Sequence, residues 1–223
     1  MPLAREEINR KLLHILSGSL IPLGIFYLPR LPGVDWRLPA GILGGMLAFS
    51  VAVEFARFHV PAVQRLFYAV AGSALRAEED RRLTGATYIY ASSFLCAVVF
   101  AQRLDIACMA LSVFVLGDAA AAVVGQAFGR IRIGKKSLEG TLACFATCML
   151  LFYAVFPFVP GLMKPWGGLM PLLVAMAASA TTAVLELFPV RITQSLTIND
   201  NLVVPLATGG VMLALHRFVV TGG

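Results

Sequence analysis

Residues 106–128 read IACMALSVFVLGDAAAAVVGQAF, an apolar run that contains a single charged residue, Asp118. Roughly 20 apolar residues are enough for a helix to cross the hydrocarbon core of a bilayer. This run therefore predicts a membrane-spanning helix. Its one carboxylate has to be accommodated away from lipid, because a charged side chain in hydrocarbon is costly.

The composition of the whole chain agrees with this stretch. Its 223 residues are 59% hydrophobic and 13% charged, with a mean hydropathy of +0.83, whereas soluble domains are about 45–50% apolar and about 25% charged. This balance excludes a soluble enzyme, a secreted disulfide scaffold and a disordered chain. The four cysteines lie within apolar blocks and are interpreted as small hydrophobic residues. We predict an all-α polytopic membrane protein with one integral membrane domain over residues 1–223.

Seven apolar blocks are long enough to cross a membrane. They cover residues 12–28, 38–56, 86–101, 106–128, 139–158, 166–187 and 202–220. An eighth segment, 60–75, is short and amphipathic and has Gln64 and Arg65 in its middle, so we place it on the membrane surface as an interfacial helix. The first block is too long for the apolar region of a signal peptide and lacks a cleavage site, so it is counted as a span.

The basic residues between the blocks predict the orientation. With seven spans, 13 of the 18 Lys and Arg fall on the side of the N-terminus. If residues 60–75 also crossed, the split would be 7 against 10, with Arg65 left in lipid. The positive-inside rule therefore places the N-terminus in the cytoplasm and the C-terminus outside. Because the basic residues are dispersed between the blocks, the net charge of +6 indicates topology and no nucleic-acid partner.

Five carboxylates lie within or at the edges of apolar blocks, toward the predicted cytoplasmic side. They are Glu54, Asp118, Glu139, Glu186 and Asp200. A charged side chain at the bilayer centre costs about 2.5–3.5 kcal/mol, so these residues are expected to face a bundle interior or a wet cavity. Their convergence near basic loops predicts a site for a metal ion and a polyanion. Asp118 lies deepest and has no cation one helical turn away.

Four of these carboxylates also have a purely structural explanation. Glu54 can pair with Arg57 within one turn of a helix. Glu139 can neutralise the neighbouring lysines, and Glu186 can be solvated at a helix end. Asp200 can cap the last helix, as Asx residues commonly do. The sequence alone leaves these alternatives open.

A basic loop follows the Asp118 block, and the next block begins directly after it. The residues there that suit a phosphate are Lys135, Lys136, Ser137, Gly140 and Thr141, because a helix N-terminus with lysines and a hydroxyl attracts anions. Gly125 and Gly129 form a small-xxx-small face, which membrane helices commonly use for packing. Residues 129–135 match part of a P-loop, but Lys136 stands at the Ser/Thr position and a membrane helix precedes the segment, so we reject a P-loop.

Several short motifs, in order along nearly the whole chain, resemble those of one enzyme family. They are Arg10-Lys11-x-x-His14, Thr84-Gly85-Ala86-Thr87-Tyr88, Gly117-Asp118 with Gly125 and Gly129, Lys136-Ser137-x-Glu139-Gly140-Thr141, Glu186, and Asp200-Asn201 before Pro205. The pattern resembles the dolichol kinase, phytol kinase and CTP-dependent diacylglycerol kinase family. It is more distantly similar to phosphatidate cytidylyltransferase.

The resemblance implies a membrane kinase that transfers the γ-phosphate of CTP to the hydroxyl of a lipid alcohol. We expect Mg²⁺ as the cofactor, with Asp118, Asp200 and Glu186 as its ligands, because phosphates and hard oxygen donors suit that ion. The expected catalytic residues are Asp118, Lys136, Glu139 and His14. The expected nucleotide-binding residues are Arg10, Lys11, Lys135, Lys136, Ser137, Gly140, Thr141 and Asn201. His14 also has a simpler interpretation as a polar anchor at the interface.

Two alternatives remain at this stage. A cytidylyltransferase would form a CDP-lipid from phosphatidate, although this chain has only Asn199-Asp200-Asn201 where those enzymes carry a longer C-terminal motif. An ion-coupled transporter would use Asp118 as an intramembrane ion site, but the acids cluster at one face. Polyprenol, phytol and diacylglycerol all remain possible acceptors. We expect a bacterial inner-membrane protein with a cytoplasmic active site.

Overall fold

The computed structural model describes residues 18–71, 82–188 and 199–219, and these residues are mainly helical. The helices are α1 (18–27 in its described part), α2 (Arg37–His59), α3 (Pro61–Ala71), α4 (Gly85–Val99), α5 (Leu104–Phe128), α6 (Leu138–Leu150), α7 (Leu172–Leu187) and α8 (Asp200–Val219). A π-helical turn, Leu151–Val155, and a 3-10 turn, Phe156–Phe158, prolong α6. Two further 3-10 turns are Leu28–Arg30 and Lys164–Trp166. The predicted helical architecture is confirmed.

Four helical segments of the described chain are long and apolar enough to cross a membrane: α2, α5, α6 with its prolongation to Phe158, and α8 as far as Phe218. Helices α4 and α7 are apolar but shorter, with 15 and 16 residues. These helices support an integral membrane protein, as the composition predicts. The count of seven spans and their orientation stay predictions. Helix α3 lies within the segment that was predicted as interfacial and exposes Leu66 and Val70.

The predicted span at residues 166–187 is helical only from Leu172, because turns occupy the residues before it. Three glycines in those turns have positive φ angles, which helices do not use: Gly161, Gly167 and Gly168. Trp166 is buried in this loop, where its Nε1 donates a hydrogen bond to Asp105 Oδ2 at 2.8 Å. The loop is thus fixed to the beginning of α5.

Helix α5 forms the centre of the bundle and packs against α4, α6, α7 and α8. Cys144 and Cys148 of α6 are fully buried where they meet it. Gly117 permits this contact, because a Cβ there would lie 2.8 Å from Cys144 Sγ and 3.2 Å from Cys148 Sγ. All four cysteines are buried thiols. Their interpretation as small core residues agrees with this packing.

A minimal β-hairpin joins α5 to α6, where the sequence suggested only a loop. Strands β1 (Arg132–Ile133) and β2 (Lys136–Ser137) are antiparallel, and Ile133 pairs with Lys136. Gly134 opens the two-residue turn with φ +62°, which is the position at which a type II′ turn takes glycine. The hairpin fixes the backbone of Lys136 beside the ends of α7 and α8.

Candidate active site

The Lys136 ammonium lies between two carboxylates that come from different helices. Its Nζ is 2.6 Å from Glu186 Oε1 and 3.2 Å from Asp200 Oδ2, and it also donates to the main-chain carbonyl oxygen of Glu186. Glu186 lies in the last turn of α7, and Asp200 is the first residue of α8. The fold therefore brings together three predicted site residues that are distant in sequence.

The start of α8 leaves one Asp200 oxygen to face Lys136. Asn199 caps the helix: its carbonyl accepts from the Leu202 N–H at 3.0 Å, and its Oδ1 accepts from the Asn201 N–H at 3.0 Å. Asp200 Oδ1 accepts from the same Asn201 N–H at 3.1 Å. The cap that the sequence suggested for Asp200 thus belongs mainly to the preceding residue, and Asp200 Oδ2 contacts the ammonium.

Asp118 approaches this cluster from the central helix. It is half-buried on α5, which packs against both α7 and α8. The neighbouring Gly117 lies against Thr182 of α7, because a Cβ at Gly117 would be 3.7 Å from the Thr182 methyl group. Asp118 therefore lies close to the end of α7 that carries Glu186.

Lys136 stays charged because its partners outweigh its burial. Desolvation by burial disfavours the ammonium, but the attraction of Glu186 and then of Asp200 raises the pKa of Lys136 above its usual value. The site at neutral pH therefore contains a fixed positive charge among carboxylates.

Glu186 provides an observation that points to a further ligand. Its Oε2 atom is buried and has no hydrogen-bond partner within residues 18–71, 82–188 and 199–219. Leaving a buried carboxyl oxygen unpaired is costly, and carboxylate oxygens suit Mg²⁺. The donor set of Asp118, Glu186 and Asp200 therefore fits a magnesium ion chemically. In the described part of the chain, however, no three Asp, Glu, His or Cys side chains stand close enough to share one ion, since Lys136 separates Glu186 from Asp200.

The start of α6 uses its polar groups internally. Ser137 is buried and caps the helix, with its Oγ accepting from the Gly140 N–H at 3.1 Å, and Thr141 Oγ1 donates to the Ser137 carbonyl at 3.1 Å. A Cβ would lie 2.9 Å from Ser137 Oγ at Gly125 and 2.7 Å from it at Gly129. The small-residue face of α5 therefore packs against Ser137. A role of these residues in phosphate binding stays a prediction.

Glu139 faces the hairpin. Its two carboxylate oxygens lie 3.1 and 3.3 Å from the Ile131 nitrogen, which donates to them, and the Leu138 N–H donates to the Ile131 carbonyl at 3.0 Å. These contacts fix both sides of the hairpin at the start of α6. Lys135 is exposed at the turn. The predicted catalytic role of Glu139 and nucleotide contact of Lys135 stay predictions.

A second buried polar network lies between α2 and α4. Glu54 Oε2 is 2.5 Å from Arg57 Nε, and the side chains are only 2% and 1% exposed. Glu54 Oε1 accepts from the Thr84 N–H at 2.8 Å and from Thr87 Oγ1 at 3.3 Å. The structural alternative of an intrahelical pair is therefore present. It is buried, however, and it also holds the start of α4.

Gly85 connects this network to the cluster around Lys136. Its carbonyl accepts a hydrogen bond from Asn201 Nδ2 at 3.2 Å, and Asn201 directly follows Asp200. The start of α4 therefore holds the start of α8. Sequence reasoning included Thr84, Gly85 and Asn201 in motifs but missed this connection, for which the sequence contains no pairing signal.

A threonine pair, also missed from the sequence, joins the two helices that carry the carboxylates. Thr182 Oγ1 of α7 lies 2.9 Å from Thr208 Oγ1 of α8, and both residues are buried. A hydrogen bond between membrane helices fixes their mutual position. The remaining predicted site residues, Arg10, Lys11 and His14, lie outside the described residues.

Comparison with known proteins supplies an independent observation. "Probable phytol kinase, chloroplastic" of Triticum aestivum is 27% identical over 216 residues, which cover 92% of this chain and 66% of the relative. The chain resembles this phytol kinase over most of its length. "CTP-dependent diacylglycerol kinase 1" of Schizosaccharomyces pombe is 28% identical over 162 residues, which cover 68% of this chain and 69% of the relative. The resemblance that the motifs predicted is therefore confirmed.

The matched region covers most of this chain but only part of each plant protein. A second plant relative, "Probable phytol kinase 1, chloroplastic" of Glycine max, is 25% identical over 228 residues, covering 93% of this chain and 66% of the relative. The chain thus spans just under two thirds of the length of these two plant kinases. No family model and no solved structure matches the chain.

Proposed function

We propose that this chain is a membrane-embedded lipid-alcohol kinase that transfers the γ-phosphate of CTP to the hydroxyl of a phytol, polyprenol or diacylglycerol. The observation that carries the proposal is the cluster of Lys136, Glu186 and Asp200, with Asp118 half-buried on α5, the helix that packs against α7 and α8. Phosphoryl transfer depends on positioning and on neutralising charge, and a lysine next to carboxylates provides both. The relatives named for phytol kinase and for CTP-dependent diacylglycerol kinase support the same class of reaction.

The carboxylates divide between metal binding and catalysis in this proposal. A magnesium ion bound by Asp118, Asp200 and Glu186 would neutralise charge on the transferred phosphate. Lys136 has a flexible side chain that is 31% exposed, so its ammonium can turn from the carboxylates to a phosphate oxygen. Glu139 fixes the hairpin from which Lys136 extends, and in this proposal it also orients the attacking hydroxyl.

In this proposal the nucleotide binds at the exposed end of the cluster. Asp200 and Lys136 are partly exposed there, whereas Glu186 is buried. Lys135 lies at the hairpin turn and Asn201 beside Asp200, so both are near the proposed polyphosphate. Ser137, Gly140 and Thr141 support the hairpin from the start of α6.

The first span completes the proposed nucleotide site. Arg10 and Lys11 would contribute positive charge to the polyphosphate, and His14 would contact a phosphate. The cytoplasmic orientation predicted by the positive-inside rule places this end where nucleotide is available. A bacterial inner-membrane location belongs to the same proposal.

The proposed reaction is a single displacement at the γ-phosphorus. The alcohol oxygen forms a bond to the γ-phosphorus, the bond from that phosphorus to the β,γ-bridging oxygen breaks, and CDP leaves. The hydroxyl proton passes to a carboxylate of the site, and the product is a lipid monophosphate. The apolar outer surfaces of the helices are suited to the lipid tail. The reaction itself involves only the hydroxyl of the alcohol.

The test is transfer of label by the purified full chain in detergent with Mg²⁺. [γ-³²P]CTP and, separately, [γ-³²P]ATP are supplied with phytol, polyprenol or diacylglycerol, and the lipid fraction is analysed. We expect labelled lipid phosphate with CTP and at least about a 100-fold loss of rate in Asp118→Asn, as for the loss of a group that stabilises transition-state charge. Asp35→Asn, in the exposed loop before α2, is the matched control and is expected to retain the rate.

Other products would replace this proposal. CDP-lipid formed from phosphatidate and CTP, with no labelled lipid phosphate, would identify a cytidylyltransferase. Absence of both products, together with ion uptake into vesicles that depends on Asp118, would identify a transporter. An equal rate in the Asp118→Asn and Asp35→Asn proteins would remove Asp118 from the catalytic site.

A further inference from the structure

The Lys136 side chain occupies the position at which a cation would meet the carboxylates. Its ammonium donates to Glu186 Oε1 at 2.6 Å and to Asp200 Oδ2 at 3.2 Å, and it also donates to the Glu186 carbonyl. These are oxygen atoms of the kind that bind divalent cations. Lys136 is therefore both the counter-ion of the cluster and an obstacle to another cation.

The exposure of the three side chains shows which side of the cluster is open to a ligand. Lys136 and Asp200 are 31% and 27% exposed, whereas Glu186 is 6% exposed. Glu186 Oε2 is buried and has no hydrogen-bond partner in the described residues. The ammonium thus neutralises one oxygen of a buried carboxylate, whose other oxygen is not satisfied by the described residues.

The hairpin that carries Lys136 is anchored, so the side chain alone has to move. Glu139 and Leu138 bind the main chain of Ile131, the residue before β1, and Ser137 is buried against α5. The lysine side chain has a flexible four-carbon stem and a compact charge. It can leave Glu186 and Asp200 without any change in the hairpin.

We propose that Lys136 is a built-in counter-ion that keeps divalent cations out of the Glu186–Asp200 cluster until a polyphosphate draws its ammonium away. The part of this inference that concerns the polyphosphate rests on the proposed kinase function. Its consequence is positive coupling, in which the cation and the polyphosphate each bind better when the other is bound. The polyphosphate draws away the Lys136 ammonium that competes with the cation. The cation in turn displaces that ammonium, which then becomes a partner for the polyphosphate. The sequence suggested a lysine for phosphate and carboxylates for metal, but not that they neutralise each other.

The first test measures Mn²⁺ binding to the full chain in detergent, without nucleotide or lipid acceptor, by the loss of the free-ion EPR signal. We expect Lys136→Met to bind Mn²⁺ at least about tenfold more tightly than the wild type. Lys136→Arg keeps the charge and is expected to bind as weakly as the wild type. Lys164→Met lowers the net charge equally, in an exposed loop before α7, and is the control for that change.

The gain in Lys136→Met should disappear when Glu186→Gln is added, which assigns the bound Mn²⁺ to this cluster. If Lys136→Met does not fold, Lys136→Gln takes its place with the same expectation. Equal Mn²⁺ affinity in the Lys136→Met and Lys164→Met proteins would overturn the inference. Absence of Mn²⁺ binding in every variant would overturn it as well.

The second test measures the coupling by thermal unfolding of the wild type with no ligand, Mn²⁺ alone, CTP with EDTA, and Mn²⁺ with CTP. The shift with both ligands is expected to exceed the sum of the separate shifts, and Lys136→Met is expected to respond to Mn²⁺ alone. Additive shifts in the wild type would refute the coupling. Neither test uses a lipid acceptor, so the two proposals can fail separately. A gain of Mn²⁺ affinity in Lys136→Met without kinase activity in the wild type would refute only the proposed function. Kinase activity without that gain of affinity would refute only this inference.

Discussion

Replacing Arg57 with methionine is expected to destabilise the bundle by about 3–5 kcal/mol, because it leaves the Glu54 carboxylate buried without its cation. The two side chains are 1% and 2% exposed, and Arg57 Nε lies 2.5 Å from Glu54 Oε2. At an effective dielectric constant of about 20, two unit charges at that distance attract each other by about 7 kcal/mol. Desolvation of the pair offsets part of this attraction, so the expected cost of losing Arg57 is the smaller value of about 3–5 kcal/mol.

The other contacts of Arg57 add to the expected loss. Its Nη2 donates to the Arg82 carbonyl at 2.6 Å, and its guanidinium lies 4.3 Å from the ring centre of Phe58 and 4.9 Å from that of Phe67. Methionine can retain contact with the aromatic rings but cannot donate a hydrogen bond. The Arg82 carbonyl then loses this donor.

The assay is unfolding of the full chain by SDS titration in mixed micelles, followed through tryptophan fluorescence. Arg65→Met is the matched control, because Arg65 is exposed on α3 and donates to the Pro61 carbonyl of its own helix at 3.4 Å. A surface substitution of this kind is expected to change the free energy of unfolding by less than about 0.5 kcal/mol.

Adding Glu54→Gln separates the effect of charge from the loss of packing. The glutamine oxygen can still accept from the Thr84 N–H, but no unpaired charge remains. We therefore expect the double variant to recover about 1–3 kcal/mol relative to Arg57→Met. If Arg57→Met costs no more than Arg65→Met, or if Glu54→Gln worsens it further, the buried charge is not the cause and the reasoning fails.

Three further substitutions test the packing and charge at the site. Gly117→Ala is expected to cost about 1–3 kcal/mol in the same SDS assay, since its Cβ would lie 2.8 Å from Cys144 Sγ. Cys144→Ala should reduce that cost, and no rescue would contradict the contact. Ser137→Ala is expected to cost about 0.5–2 kcal/mol through the lost helix cap, with Ser112→Ala as the comparison, and an equal effect of both would contradict the cap. The stability that Lys136 contributes should be fully present up to its ordinary pKa of 10.5 and decline only above it, because its pKa is raised in the fold. Thermal unfolding of the wild type and Lys136→Met from pH 7 to 11 measures this, and a difference that vanishes already near pH 8 would refute the ion pair.

Local composition and apolar block length were sufficient to predict most of the helices. The blocks around Asp118, at 38–56 and at 202–220 coincide with α5, α2 and α8, because the bilayer requires long apolar segments with internally paired backbone groups. The start of α7 was predicted too early, since residues 166–171 are mostly apolar or small but form turns and not an α-helix. The count of seven spans depends on α4 and α7, which are shorter than the four candidates, and on the block at 12–28, which is described only from residue 18.

The types of residue at the site were also predictable, because a carboxylate in an apolar block has few structural uses. This reasoning made Asp118, Glu186 and Asp200 candidates, and the basic loop beside them made Lys136 one; the contacts of Lys136 with Glu186 and Asp200 agree with that grouping, while their roles stay predictions. Their chemistry follows from their identity, so a ligand class could be predicted before any contact was known.

Only the tertiary structure decided which of these groups meet. Lys136 and Glu186 are separated by 50 residues and Lys136 and Asp200 by 64, and a pattern along the chain does not specify pairing over such distances. The same applies to Glu54, which the sequence paired with Arg57 but not with Thr84, and to Asn201, which reaches Gly85. The sequence by itself determined that buried charges must find partners, because an unpaired charge in a low-dielectric interior is too costly to remain. The packing of the helices determined which partners they found.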